Sequence, residues 1–158
     1  MKLLKVTSEN FYDLMRLSVE ESQKDFVAPN DYSLAEAYAA LSAGQFVQAF
    51  GLYDGDTPVG FAMVSHDAVP NEDCPVAYRD TYYLWRFMID KRYQGRGYGR
   101  AGVALVLDYI RTFPDGPSAA CTVSYEPENT VAKHLYESFG FRPTGEWDDG
   151  EEIALLEL

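Results

Sequence analysis

The sequence is short of cysteine, histidine and positive charge, and it contains no long apolar run. Cys74 and Cys121 are the only cysteines, too few for a disulfide framework and without the spacing of a zinc site. A reducing compartment, the cytoplasm, is therefore the expectation. His66 and His134 lie far apart with no carboxylate motif joining them, so no metal centre is expected and both read as surface or capping residues. No stretch approaches the roughly 18 apolar residues needed to cross a bilayer. The opening MKLLKVTSEN turns polar too early for a signal peptide. Lysine and arginine number 13 against 25 acidic residues, a net charge of −12. A surface that acidic repels nucleic acid and anionic membranes and attracts cations.

What is present points to a folded protein: 158 residues, 47% hydrophobic and 15% aromatic, enough for one domain over 1–158 with a sizeable core. Residues 2–7 read as a strand. Thr7 or Ser8 caps a helix carrying Phe11, Leu14, Met15 and Leu17 at helical spacing. Pro29, Asn30 and Asp31 read as a turn, and Ser33-Leu34-Ala35-Glu36 as a capping box opening a second helix that stops near Gly44. Residues 46–53 and 59–65 are rich in aromatic and β-branched residues around Asp54-Gly55-Asp56, which predicts a hairpin. Residues 66–80 read as a loop. The run YYLWRFMI over 82–89 is too apolar to have a wet face and predicts a central strand. A glycine-rich turn follows, then a helix over 98–112, a strand over 119–124, a helix over 129–139 stopped by Gly140, and two strands around Asp149-Gly150. The order is β-α-α-β-β-β-α-β-α-β-β, an α/β mixed sheet with helices on its faces. Trp85, Trp147 and most tyrosines are expected in the core or lining a cleft.

The glycine-rich turn carries the chemistry. Gln94, Gly95, Arg96, Gly97, Tyr98, Gly99 and Arg100 lie between a buried strand and a helix. Glycines there let backbone approach a ligand and take positive φ, and the N–H groups of a helix N-terminus favour an anion. From 91 to 107 there is no acid, while Lys91, Arg92, Arg96 and Arg100 all fall in that span, and Arg96 and Arg100 stand one turn apart, able to reach the same anion. The ligand indicated is a phosphate or pyrophosphate. A Walker loop is excluded because no Lys-Ser or Lys-Thr follows the glycines. Gly97, Gly99 and Gly102 do spell a dinucleotide fingerprint, but residues 118–125 (SAACTVSY) lack the ribose-binding acid that it requires.

The pattern Gln/Arg-x-x-Gly-x-Gly/Ala, met by Gln94, Gly97 and Gly99, resembles that of the GCN5-related N-acetyltransferase superfamily. The resemblance implies that the turn holds the pyrophosphate of acetyl-coenzyme A, while Phe87, Met88 and Ile89 offer backbone groups to its pantetheine arm. The segment SYEPENTVAKHLYESFGF over 124–141 extends it. Asn129 and Tyr136 are seven residues apart on one helix face, with Ala132 and Lys133 between them. Read singly, Asn129 is a helix cap and Tyr136 a core aromatic. The resemblance implies instead that Asn129 and Lys133 help to hold the coenzyme and that Tyr136 protonates its departing thiolate. The stretches FVAPNDYSLAEA, YDGDTPVGFAMVS and RFMIDKRYQGRGYG are similar to the bacterial spermine/spermidine acetyltransferase branch.

The expected reaction is acetyl transfer to a primary amine by direct attack in a ternary complex. In several members of the superfamily it resembles, a glutamate on the central strand is the base, but TYYLWRFMI has no carboxylate, so the base has no assignment. Glu20, Glu21, Asp25, Asp31 and Glu36, with Glu72, Asp73 and Asp80, suit a cationic acceptor such as a polyamine. An aminoglycoside, a protein N-terminus, or a non-catalytic coenzyme-binding role stays open. The six acids of 145–158 suggest nothing catalytic, only a final hairpin with a polar outer face. Pairing of two copies through an edge strand is compatible with the pattern but not derivable from it.

Overall fold

The computed structural model describes residues 1–67 and 74–158. Its elements follow the expected order: β1 (Lys2–Lys5), α1 (Phe11–Met15), α2 (Asn30–Ser42), β2 (Phe46–Asp54), β3 (Thr57–His66), β4 (Tyr82–Ile89), α3 (Tyr98–Ile110), β5 (Ala120–Tyr125), α4 (Thr130–Glu137), β6 (Arg142–Asp148) and β7 (Glu151–Glu157). The strands form one seven-stranded sheet in the order β1-β2-β3-β4-β5-β7-β6, with β4 at its centre. Every neighbouring pair is antiparallel except β4 and β5.

Alternation along the strands sorts the core into two layers. On one face Val64, Tyr82, Leu84, Cys121 and Val123 pack under Val103, Val106, Leu107 and Ile110 of α3 and Tyr136 of α4. On the other, Val47, Phe61, Met63 and Met88 pack against Leu14, Leu17, Ala37 and Ala40 from α1, α2 and their connection. Helix α3 can bury one stripe because its apolar residues recur at helical spacing, and Gly102 within it gives the close approach to the sheet. A Cβ there would stand 2.9 Å from Leu52 and 3.0 Å from the Phe87 ring.

Four local expectations are corrected. Pro29, Asn30 and Asp31 do not form a turn but begin α2, because the Asn30 amide is buried and donates to the Leu14 carbonyl at 2.8 Å. Ser33 and Glu36 do not form a capping box. The Ser33 hydroxyl bonds back to the Pro29 carbonyl, and Glu36 reaches across to Arg86. A capping box forms instead at Glu20 and Gln23, around a 3-10 turn at Glu21–Gln23. Trp147 is 55% exposed and Tyr12, Tyr32 and Tyr38 are exposed too, so they line neither core nor cleft. His66 is no simple surface residue, since its ring stacks on Tyr82 at 4.1 Å and its Nδ1 pairs with Asp115 at 3.0 Å.

Gly60 fixes the spacing of β3 and β4. A Cβ at that position would lie 2.5 Å from the Met88 carbonyl oxygen, a backbone atom that cannot swing aside. Gly60→Ala is expected to destabilise the fold by about 1–3 kcal/mol, read as a lower denaturant midpoint with unchanged slope.

Candidate active site

The parallel pair is the origin of the site. β4 and β5 are in register only at Tyr82 with Cys121 and at Tyr83 with Thr122, and beyond these residues they part. On the β3 side the ladder continues to Ile89, with one irregularity: Met63 faces Arg86 and Val64 faces Leu84, leaving Trp85 as an extra residue. Such a bulge places its two residues on the same side of the strand. Accordingly Trp85 packs with the α1/α2 layer and Arg86 bonds Glu36 of α2 at 2.8 Å. A second Arg86 nitrogen donates to the Trp85 carbonyl at 2.9 Å.

Parting from β5 leaves one edge of β4 open. Asp90 N–H bonds to the Val59 carbonyl, and the Met88 carbonyl points at Gly60, so residues 88 and 90 face β3. By alternation Phe87 and Ile89 turn their main-chain groups to the open edge. The Ile89 carbonyl accepts a bond from the Gln94 amide at 3.0 Å, and the Phe87 N–H faces the same open edge, beyond the last residue of β4 that pairs with β5. This edge borders a cavity of about 480 Å³. Its β4 wall comprises Leu84, Trp85, Arg86, Phe87, Met88 and Ile89, continued by Gln94, Gly95 and Gly99. The facing wall is Ser124 and Tyr125 of β5, Asn129, Ala132, Leu135 and Tyr136 at α4, and Glu151. Residues of the 19–28 segment, Asp25 among them, close the α1/α2 side.

The turn after β4 is held by side chains and leaves its backbone free. Asp90 is 1% exposed and accepts from Arg92 Nε at 2.7 Å and from the Ser18 N–H at 3.0 Å. Burial pushes the Asp90 carboxyl up, but the bonds from Arg92 and from the backbone of Arg92 and Ser18 outweigh it and hold it below its ordinary range. Gln94 ties the turn to Ile89 and to Gln23 at 2.9 Å. Within the described residues, no N–H from 94 to 100 finds a protein acceptor. Gly95 and Gly97 adopt φ of +74° and +82°, with open space where a Cβ would point. Free donors on a glycine turn at the start of a 13-residue helix form an anion cradle, which fits the pyrophosphate expected from the sequence.

Because the folded carboxyl of Asp90 is depressed, its contribution to stability is present above the ordinary carboxylate range and is lost as pH falls through the folded value. Asp90→Asn is expected to remove that part of the acid sensitivity, measured as a smaller drop in unfolding temperature between neutral and acid pH.

The predicted site residues are not all brought together. Phe87, Met88, Ile89, Gln94, Gly95, Gly99, Asn129 and Tyr136 line the cavity. Arg96, Gly97, Tyr98 and Arg100 belong to the same turn and helix start, but the two arginines diverge. Arg96 lies over the Tyr93 ring at 5.7 Å, whereas Arg100 lies over Phe139 at 5.0 Å and donates to Ser138. The local positive charge is also smaller than the sequence suggests, since Arg92 is spent on Asp90. Lys133 faces away from the cavity because it pairs with Glu152 of β7 at 2.9 Å. Asn129 is an N-cap, its Oδ1 accepting from the Ala132 N–H at 3.2 Å, and it lines the cavity as well. Tyr136 is 6% exposed, its ring set against Tyr125 and Phe141, and its hydroxyl has no hydrogen bond within the described residues. Burial keeps that phenol well above its ordinary range.

Among the acidic candidates, Asp25 reaches the cavity, Glu36 is spent on Arg86 and Glu21 on Lys24. Glu72 and Asp73 lie outside the described residues. One residue that sequence reasoning left without a role does enter the cavity: Glu151, the first residue of β7. Its trace in the sequence is alternation alone, since it shares the phase of buried Ile153 rather than that of Glu152.

The family model for the acetyltransferase (GNAT) family matches residues 11–141. A spermine/spermidine N(1)-acetyltransferase of Bacillus subtilis strain 168 is 29% identical over 154 residues, covering 97% of this chain and 95% of that protein. A probable spermine N(1)-acetyltransferase of Bacillus subtilis subsp. natto is similar to the same extent. Among solved structures, the aminoglycoside acetyltransferase AAC(6')-Ib with coenzyme A and kanamycin superposes with a TM-score of 0.76 at 17% identity, over 99% of this chain and 94% of that one. The PaiA N-acetyltransferase of Thermoplasma acidophilum with coenzyme A gives 0.67 at 14% identity, over 99% and 98%. At these identities the two structures bear on the fold alone.

Proposed function

The chain belongs to the acetyltransferase (GNAT) family, as an acetyl-coenzyme A-dependent N-acetyltransferase, and on that premise we propose that its acceptor is a primary amine of a polyamine such as spermine or spermidine, attacked directly in a ternary complex. The observation that carries this reading is the sorting of charge about the split between β4 and β5. Free N–H groups gather at the start of α3, while the carboxylates of Asp25 and Glu151 line the cavity from the α1/α2 layer and β7. An anionic donor and a cationic acceptor can thus meet at the open edge from different directions. The names of the two Bacillus relatives support the same acceptor class.

Bound acetyl-coenzyme A supplies a thioester, whose carbonyl carbon is the electrophile. The turn over 94–100 holds its phosphates, and the open edge at Phe87 and Ile89 runs alongside its arm. A backbone N–H on that edge, that of Phe87, would stabilise the oxyanion that forms when an amine adds to the carbonyl. Tyr136, neutral because it is buried, gives its proton to the leaving sulfur. Two free cysteines, one buried and one partly buried, and the lack of a membrane-crossing helix among the described residues suit the cytoplasm as its compartment.

The test is thiol release from acetyl-coenzyme A with spermidine and with a monoamine of matched length. A preference for spermidine of about 10-fold or more, shrinking as salt rises, is expected. Equal efficiency would remove the polyamine reading. Release with an aminoglycoside or a peptide N-terminus alone would reassign the acceptor, and coenzyme binding without release would leave a non-catalytic binder.

A further inference from the structure

On the side of the sheet opposite Tyr136, the cavity carries a second polar cluster. Tyr83 of β4, Ser124 of β5 and Glu151 of β7 share that face, because Tyr82, Val123 and Ala154 beside them all point to the α3 layer. The Ser124 hydroxyl donates to the Glu151 carboxylate. Tyr83 OH lies 2.7 Å from the same hydroxyl oxygen. Serine has a single proton to give, and Glu151 takes it, so Tyr83 must be the donor in that contact. The result is a directed chain, Tyr83 to Ser124 to Glu151, ending on a carboxylate in the cavity wall. Glu151 makes no ion pair among the described residues, in contrast to Glu152, which Lys133 engages on the opposite face.

We propose that Glu151 is the general base of the reaction, taking the proton from the acceptor ammonium, with Ser124 and Tyr83 as positioning residues that fix its carboxylate. The proposal rests on the acetyl-transfer reading above and fills the role that β4, without a carboxylate, leaves vacant. An amine with a pKa near 10 is almost wholly protonated at neutral pH and has no lone pair to attack with. In the proposed step an ammonium N–H bond breaks, its electron pair stays on nitrogen, and the proton passes to Glu151 and then to water at the cavity mouth. The nitrogen lone pair forms the C–N bond and the acetyl C–S bond breaks. A second nitrogen proton is lost to water, while sulfur takes a proton from Tyr136, which solvent restores. Overall one proton is released per acetyl group transferred.

The surroundings of Glu151 suit a base. Burial, helped by Glu126 and by Asp148 of β6, raises its carboxyl above the ordinary range, against the opposing influence of Ser124 and Arg86. Arg86 is largely neutralised by Glu36, so Glu151 is not locked into an ion pair. Tyr78, its ring tilted 34° and 4.6 Å from that of Tyr83, and Tyr136 of α4, across the split from the opposite face, are the other titratable groups near it. Both phenols are held above their ordinary range by burial and stay neutral.

The deciding measurement is the pH dependence of kcat/KM for spermidine. In the wild type the profile should be flat across neutral pH and fall on the acid side at a value above the ordinary carboxylate range. Glu151→Gln should lower kcat/KM at pH 7 by about 10²–10³-fold and replace the plateau by a rise of slope one toward the pKa of the amine. Its binding of acetyl-coenzyme A should be unchanged. Its unfolding temperature at pH 7 should hold or rise, because a carboxyl raised by folding costs stability once it is ionised. Ser124→Ala should keep most of the activity but move the acid limb upward, since it removes a bond that favours the carboxylate. A Glu151→Gln enzyme that binds the coenzyme and keeps the wild-type plateau and rate overturns the assignment while acetyl transfer stands. An acid limb that ignores Ser124→Ala does the same. Failure of the wild type to release thiol with any amine overturns the proposal together with the reading it rests on.

Discussion

Tyr136→Phe should lower thiol release by about 10²–10³-fold while leaving acetyl-coenzyme A binding and the fold intact. The ring is what the fold uses: it lies 6.0 Å from Tyr125 and 5.7 Å from Phe141, and phenylalanine keeps both contacts. The hydroxyl has no partner among the described residues, so its removal breaks no protein hydrogen bond. The variant should therefore be about as stable as the wild type. Lost activity with retained stability would separate a proton donor from a core aromatic, a distinction that the sequence alone leaves open. Because burial raises the phenol, it stays protonated through the working range and should contribute no loss of rate on the alkaline side. Activity within about threefold of wild type would return Tyr136 to a purely structural role.

Gly97→Val should raise the KM for acetyl-coenzyme A by about 10²-fold, the equivalent of one or two lost charge-assisted hydrogen bonds. The KM for the amine and the rate at saturating donor should change little. Gly97 has φ +82° and nothing within 4 Å of where a Cβ would project, so valine would clash with no protein atom. The penalty is instead conformational, about 1–2 kcal/mol for a left-handed residue and more for a β-branched one. The turn can relieve it only by rotating N–H groups away from their common focus. The side chain would also stand in the space through which a phosphate approaches. A KM within about twofold of wild type would mean that the cradle does not hold the donor.

The element order was legible because β2, β3, β4 and β5 are apolar runs bounded by turn residues, and YYLWRFMI predicts β4 to the residue. Boundaries set by tertiary contacts were not. Ser33 and Glu36 have the spacing of a capping box, yet α2 begins earlier because buried Asn30 binds Leu14 and Glu36 is drawn to Arg86. The glycine turn was legible because its requirement for positive φ is local. The destinations of Arg96, Arg100 and Lys133 were not, since long flexible side chains follow neighbours that arrive from distant parts of the chain: Tyr93, Phe139 and Glu152. Glu151 was hidden for a related reason. Its place in the cavity depends on β7 pairing with β5 rather than β6 alone, and on β5 parting from β4, and no spacing in the sequence records either event.

The most direct test of acetyl transfer to a polyamine across the β4–β5 split is the initial rate of thiol release with acetyl-coenzyme A and spermidine both varied, together with mass analysis of the amine. The expected result is one N-acetylated polyamine per thiol released and double-reciprocal lines that intersect, as a ternary complex requires. Parallel lines, or thiol release without an acetylated amine, would contradict it.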